Sequence, residues 1–270
     1  MANKSPSIKI FSFYYKNTPV LIQNDIYCPI MAGNVSVVSK SIQGDDIGDN
    51  ISIKNKNFSE LTGIYWVWRN TKEDIVGSCH YRRYFTAKPE PFLYKLKRFL
   101  YIPIGLYKKR HGLIYTRNIS CFLPRVLEKE EVCRLMDEYD AILPQARKLR
   151  YTVKKHYSKY HNINDLKTLE LVIAQKYPDY IEAFHTLLNS KRLYANNMFI
   201  LHNDHYQEFM EWWFDILFEF ERRINVSLYT GYQERILGFM AERLLNVWFI
   251  KQQLKVVELP VVYFKNQKTI

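Results

Sequence analysis

The chain has 270 residues, 47% of them hydrophobic, enough to build one large α/β domain with a substantial core. Its net charge of +12 calls for an anionic partner or surface, while nine glycines, with neither a GxGxxG nor a GxxxxGK(S/T) string, exclude a Rossmann fingerprint and a P-loop. Cys28, Cys79, Cys121 and Cys133 form no CxxC pair and no disulfide spacing, so they read as free thiols of a reducing compartment.

In chain order, Ile8 to Tyr14 alternates as a first strand and delivers Tyr15, Lys16 and Asn17 at its end. Residues 18 to 34, punctuated by Pro19, Pro29 and Gly33, read as irregular, and Gly44 to Asn50 as a loop. Phe58 to Arg69 has helical spacing at Leu61, Tyr65 and Trp68. Asp74 to Ser78 is a short apolar strand. Phe92 to Tyr107 mixes aromatic, aliphatic and basic residues as an interfacial amphipathic element does, broken by Pro103 and Gly105. Helices follow over Glu128 to Tyr139, from Asn164 to Gln175, from Pro178 to Leu188, from Asn203 to Ile224 and from Gln233 to Lys251. Strands are expected at Asp140 to Leu143, Tyr194 to Leu201 and Lys255 to Phe264. Alternating strands and helices without a repeat predict a single α/β domain over residues 1–270, carrying a basic aromatic insertion at about 88–125.

The most informative stretch is Cys79-His80-Tyr81-Arg82-Arg83-Tyr84-Phe85, placed directly after the strand at Asp74 to Ser78. Carboxyl ends of buried parallel strands commonly present ligand groups. Two adjacent guanidinium groups suit a diphosphate or a carboxylate, which they grip by bidentate, charge-assisted hydrogen bonds. The bland alternative is one arginine paired with a structural carboxylate and the other solvated. Asp45, Asp46 and Asp49 with Asn50 place three carboxylates within five residues. They suit oxygen ligation of a metal or contacts to sugar hydroxyls, but as a bare motif they are more often a solvated turn. Glu234, Gly238, Glu242 and Asn246 share a helix face, which makes Glu242 a candidate base. Holding that helix to the sheet through an arginine is its alternative role. Asn196 and Asn197 open an apolar strand, where amides suit sugar hydroxyls or a strand-end cap. His156 and His161 lack a zinc spacing and read as solvated or supporting residues.

Four blocks resemble the bacterial capsule and O-antigen biosynthesis proteins long known only as a domain of unknown function and regarded as glycosyltransferases. They are Ile8 to Lys16; Gly44 to Ser52 continuing through Lys54-Asn55 and Asn57 to Thr62 to Trp68; Gly77 to Phe85; and Tyr232 to Arg235 with Gly238-Phe239 and Ala241 to Leu245. Asn197 to Ile200 is similar to a further block. The resemblance runs from about residue 8 to residue 250; Pro91 to Phe122 lies outside it. It implies a GT-A-like mixed sheet flanked by helices, with a helical C-terminal part, that moves a sugar from a nucleotide-diphosphate sugar. The resemblance does not itself supply donor, acceptor or linkage; the pathway setting of the family makes a UDP-hexose the expected donor and a lipid-linked oligosaccharide the expected acceptor in capsule, exopolysaccharide or O-antigen synthesis. On this footing Arg82, Arg83 and Glu242 are the catalytic candidates. Tyr15, Lys16, Asp45, Asp46, Asp49, Asn50, Lys54, His80 and Tyr81 are donor contacts, and Asn196, Asn197, Gln233 and Arg235 are acceptor contacts.

Many GT-A folds hold a metal with an Asp-x-Asp motif, which this chain lacks. The expectation is that no cofactor is required because the paired arginines replace the divalent metal, with Mn2+ or Mg2+ as the alternative. Between Pro91 and Leu127 there is no Asp or Glu, while Lys95, Lys97, Arg98, Lys108, Lys109, Arg110, Arg117 and Arg125 fall in that window. Such a patch suits an anionic membrane surface. No basic-plus-apolar leader precedes the first strand and no run reaches the roughly 18 apolar residues of a span. The expected location is cytoplasmic, peripheral to the inner face of the cell membrane. The rival reading is a basic nucleic-acid-binding protein without catalysis, disfavoured because the aromatics fall on buried helical faces and no nucleic-acid motif is present. Glycoside hydrolysis is disfavoured because no carboxylate pair stands at strand ends.

Overall fold

Ile8–Tyr14 (β1) is apolar on both faces, as a central parallel strand must be. In the computed structural model, which describes residues 6–36, 41–101 and 112–265, it lies between Tyr27–Met31 (β2) and Ile75–His80 (β4), parallel to both. Gln43–Gly44 (β3) extends that side, and Arg83–Phe85 (β5) turns back from β4. Leu113–Thr116 (β6), Ala141–Pro144 (β7), a small hairpin of Arg147–Lys148 (β8) with Arg192–Leu193 (β9), Phe199–His202 (β10), Val256–Leu259 (β11) and Val261–Phe264 (β12) complete the strands among the described residues. The main sheet runs β11-β7-β10-β4-β1-β2-β3, with β12 joining β5 and β6 as an extension. It is a mixed sheet, because β10 is antiparallel to both β4 and β7.

The helices are Asn55–Phe58 (α1), Leu61–Asn70 (α2), Phe92–Tyr101 (α3), Ile119–Phe122 (α4), Lys129–Met136 (α5), Val153–Tyr160 (α6), Ile163–Lys176 (α7), Ile181–Asn189 (α8), Asn203–Arg223 (α9) and Ile236–Gln252 (α10). Alternation along the strands sorts the side chains between two cores. Phe11 and Phe13 of β1 and Phe199 and Leu201 of β10 join the larger one, under α2 and α7 to α10. Ile8 and Ile10 of β1 and Ile200 of β10 face the smaller one, beneath α5 and β12. The aromatic face expected on α9 is present: Phe209, Trp212, Trp213, Ile216, Leu217 and Phe220 are all buried. Gly63 brings α2 directly onto the sheet, since a Cβ there would sit 2.5 Å from the Phe13 ring.

Several sequence expectations shift. Tyr27–Met31 is a strand despite Pro29, tolerable because its outer neighbour β3 pairs only from Ile30 onward. The helix expected from Phe58 is two helices, broken at Ser59, whose φ is 54°. The last strand is two, divided at Pro260, so that β11 pairs with β7 while β12 pairs with β5 and β6. Asn162, not Asn164, caps α7, and α9 starts at Asn203 without a side-chain cap. Residues 102–111 of the amphipathic stretch lie outside the described residues.

The loop after β3 is held from inside. Asp45 is fully buried, accepting from the Gly33 amide at 2.9 Å, the Asn34 amide at 3.0 Å and the Ser52 hydroxyl at 2.5 Å. Asp49 accepts from Arg69 Nε at 2.6 Å and Tyr65 Oη at 3.1 Å, pinning the loop to α2. Replacing Asp45 with Ala strands three buried donors. Urea unfolding of that variant is expected to show a loss of about 2–4 kcal/mol. Unchanged stability would remove the clamp assignment.

Candidate functional site

The chain passes from β1 to β2 on one side and returns to β4 on the other, so the carboxyl ends of β1 and β4 form a topological switch point. A cleft of about 460 Å³ opens there. Tyr14 and Tyr15 come from the end of β1, His80 to Arg83 from the β4–β5 corner, Asn55, Lys56, Ser59 and Glu60 from α1 and its exit, Glu234 and Arg235 from the turn before α10, and Tyr263 from β12. Lys56, Arg82, Arg83 and Arg235 stand against Glu60 and Glu234, an excess of two positive charges.

The arginines at the corner are the unbalanced ones. Arg235 donates to Glu60 Oε2 at 3.2 Å and to the Ser59 hydroxyl at 2.8 Å, and Lys56 lies 3.4 Å from Glu234. Arg82 and Arg83 make neither hydrogen bond nor ion pair from their guanidinium groups among the described residues. Their polar planes lie instead near aromatic faces, Arg82 at 4.7 Å from Tyr81 and 5.4 Å from Tyr263, Arg83 at 5.1 Å from Tyr263. Arg82 Nε is buried without a partner. Burial works against the charge on Arg83, and Arg147 adds repulsion, while Tyr263, Glu60 and Glu242 favour the charge; the net shift is downward. Two adjacent guanidinium groups in this state have donors to spare for bidentate, charge-assisted hydrogen bonds.

Glu60 organises the floor. It precedes α2, where the helix dipole favours a carboxylate. Burial pushes its carboxyl up, but His80, Arg235, its own backbone amide and Asn197 outweigh burial and hold it below the usual carboxylate range. Asn197 Nδ2 donates to Glu60 Oε1 at 2.9 Å. His80 Nε2 lies 2.6 Å from the Asn196 carbonyl oxygen. Burial, then Arg83, lowers the His80 pKa to about 4, so the ring is neutral near pH 6.5 and above. A neutral ring facing a carbonyl must carry its proton on Nε2, which leaves Nδ1 as an acceptor.

The predicted residues divide sharply. Tyr15, His80, Tyr81, Arg82, Arg83 and Arg235 line one cleft. Tyr81 Oη donates to Tyr15 Oη at 3.0 Å, making an aromatic wall, and Lys16 sits beside it with Nζ 5.7 Å from the Tyr15 ring. Asp45, Asp46, Asp49, Asn50 and Lys54 are not brought to the cleft. Asp45 and Asp49 hold their loop as described, Asp46 accepts from Asn34 Nδ2 at 2.9 Å, Asn50 bonds within the loop, and Lys54 pairs with Glu221 at 2.5 Å. Glu242 does not line the cleft either; it accepts from the Asn196 amide at 2.8 Å and lies 3.2 Å from Arg243. Asn196 and Asn197 are buried in left-handed conformations, φ 78° and 49°, a shape asparagine tolerates. Arg147 donates to the Asn196 side chain at 3.0 Å. Both asparagines tie elements together and neither lines the cleft, while Asn197 Oδ1 is buried without a partner among the described residues. Gln233 belongs to a neighbouring hollow of about 570 Å³, where it bonds His161 and the Tyr160 carbonyl.

Sequence reasoning passed over Glu60, Glu234 and Tyr263 as cleft residues. Glu60 had a readable signal, a carboxylate immediately before an apolar helix. Tyr263, on the final strand, had none. Among the described residues no group of three or more His, Cys, Asp or Glu side chains converges to hold a metal ion. Asp45, Asp46 and Asp49 each turn to separate protein donors, so they do not assemble the ligand set of a divalent cation.

Both buried ionisable groups make the fold acid-sensitive. The unfolded chain takes up a proton at His80 near pH 6.5, and the folded chain refuses it until about pH 4. Stability is therefore complete above about pH 6.5 and falls on acidification between those values. Glu60, with its lowered pKa, loses its contribution in the same direction, at the acid end. Unfolding midpoints measured across this range are expected to decline, and His80→Gln to flatten the decline by on the order of 3 kcal/mol. An unaltered slope in the variant would show that His80 titrates normally.

Residues 9–253 match the family described as Domain of unknown function (DUF4422). A solved apo structure of the bifunctional glycosyltransferase WbbM is similar over 96% of this chain, with 28% identity and a TM-score of 0.83. That similarity takes in 46% of the WbbM chain, so this chain spans less than half of the length of the protein it matches. Comparison with curated proteins finds no match. The mixed sheet, its flanking helices and the extent of the family match agree: this chain belongs to the DUF4422 family.

Proposed function

We propose that the chain is a glycosyltransferase of surface-polysaccharide synthesis that moves a hexose from a nucleotide-diphosphate sugar, taken here as a UDP-hexose, to a glycan carried on a lipid. The observation that carries this reading is the pair Arg82 and Arg83, facing a cleft at the switch point with no carboxylate of their own. As the bond between the sugar anomeric carbon and the diphosphate oxygen breaks, that oxygen takes the electron pair. Fixed guanidinium groups stabilise the charge where it develops. An acceptor hydroxyl attacks the anomeric carbon, and its proton passes to a carboxylate. Glu234 lines the cleft, whereas Glu242 is held by Asn196 and Arg243, so Glu234 is the better-placed base for an inverting transfer.

The exposed ring of Tyr15 and the Tyr81 ring beside it offer a platform for the donor's base or sugar. His80 Nδ1 and the Ser59 hydroxyl add neutral polar groups to the same wall. The acceptor approaches over the turn before α10. Its far side carries Gln233 into the neighbouring hollow, lined by Asn164, Thr168, Asn225 and Thr230 together with Lys159 and Asp165, a mixed polar surface that suits glycan hydroxyls.

A thermal-shift panel of UDP, GDP, CMP and dTDP compounds, each with EDTA and with manganese, tests the donor. Stabilisation by a uridine compound in EDTA is expected. Arg82→Ala and Arg83→Ala are each expected to lower kcat/KM for that donor by about 10²–10³, as loss of a charge-stabilising donor does elsewhere. Turnover that requires manganese and survives both substitutions would sink the paired-arginine mechanism.

A further inference from the structure

Helix α3 has its hydrophobic stripe on the outside. Phe92, Leu93, Leu96, Phe99 and Leu100 are 74%, 74%, 42%, 72% and 60% exposed. At about 100° per residue these five positions fall within an arc of roughly 120°, the width that normally faces a core. The opposite side is the one sewn to the protein. The Tyr94 ring packs edge-on against Phe122 at 4.9 Å between centroids, and its hydroxyl accepts from Asn118 Nδ2 at 2.8 Å. The Tyr94 and Lys95 amides bond back to the Pro91 carbonyl. The helix is thus fixed in an orientation that presents large apolar side chains to solvent. Isolated exposed hydrophobics are ordinary, but five on one helical face are not.

What covers such a face is indicated by charge. From Pro91 to Leu127 the chain has eight lysines and arginines and no acid. Lys95 on α3 is exposed, and so is Arg117 before α4. A protein partner of ordinary composition does not demand a long acid-free stretch of sequence running on from an apolar stripe, whereas an anionic bilayer does. Its headgroups attract lysine and arginine by about 1 kcal/mol each, and its acyl boundary takes Phe and Leu side chains. No helix among the described residues is long and apolar enough to cross a membrane, so the contact is with the surface.

We infer that α3 is a docking element by which this protein lies on an anionic lipid surface, Phe92, Leu93, Leu96, Phe99 and Leu100 entering the acyl boundary and Lys95 beside them meeting the headgroups. It places the protein where a lipid-carried acceptor is confined. Vesicle binding is read without turnover, so its failure would leave the transferase reading standing, and the reverse also holds.

The test is co-sedimentation of the full chain with vesicles of equal parts phosphatidylglycerol and phosphatidylcholine, and with vesicles of phosphatidylcholine alone. The wild type is expected to bind the mixed vesicles and to bind the neutral ones at least about tenfold more weakly, with affinity falling as salt rises. Leu96→Ser with Phe99→Ser removes two exposed side chains and is expected to lower binding at least about tenfold while leaving the thermal midpoint in place. Lys95→Glu should lower binding to the mixed vesicles alone. A wild type that ignores mixed vesicles, or a double variant that binds them as well as the wild type, overturns the inference. So does a dimer in sedimentation velocity that the double variant dissolves, since the stripe would then be covered by a second copy.

Discussion

The buried carboxylate of Glu60 is the interaction on which the cleft depends. It receives Asn197 from the approach to β10 and Arg235 from the turn before α10, and it faces His80 at the end of β4. An ionised carboxylate in such a place is tolerable only when its lone pairs are answered, and here they are answered from segments far apart in the chain. Removing it would leave Arg235 without its anion and Asn197 without its acceptor. The state of the histidine is settled against the pull of that carboxylate: burial and the Arg83 charge keep His80 neutral, and the ring gives its one proton to the Asn196 carbonyl.

With Glu60 committed to Arg235 and Glu234 beside Lys56, the arginines at the β4–β5 corner remain in excess. Tyr263 lies within cation–π reach of both and gives their planes a surface without neutralising either. On the proposed reading, surplus positive charge beside aromatic faces at the carboxyl ends of parallel strands takes an anion with a flat ring attached, the form of a nucleoside diphosphate.

Around the cleft, polar side chains that look ligand-binding in isolation act as ties. Asp45, Asp49, Asn196, Asn197 and Glu242 each bond backbone or side-chain groups of a neighbouring segment. Their effect on a ligand is indirect: they fix the corner and the turn from which the lining residues project. A site that must hold cations close together needs this rigidity, since a mobile corner would let the guanidinium groups separate.

The sequence by itself determined the alternation of strands and helices, the aromatic face of α9 and the position of the His80 to Arg83 corner directly after a buried strand. These rest on local periodicity and on the rarity of adjacent arginines after a buried strand, both readable over a few residues. It also exposed the acid-free window that marks the α3 region. Tertiary structure alone decided which way a polar side chain turns. Asp45 looks inward because Gly33, Asn34 and Ser52 lie within reach, and Gln233 and Arg235, two residues apart, enter different cavities. Glu60 and Tyr263 become cleft residues only once the start of α2 and the last strand are brought to the β4–β5 corner. Periodicity is set by neighbours along the chain, whereas the partner of a carboxylate or a guanidinium is set by what the fold brings within about 3 Å, and no short-range pattern encodes that distance.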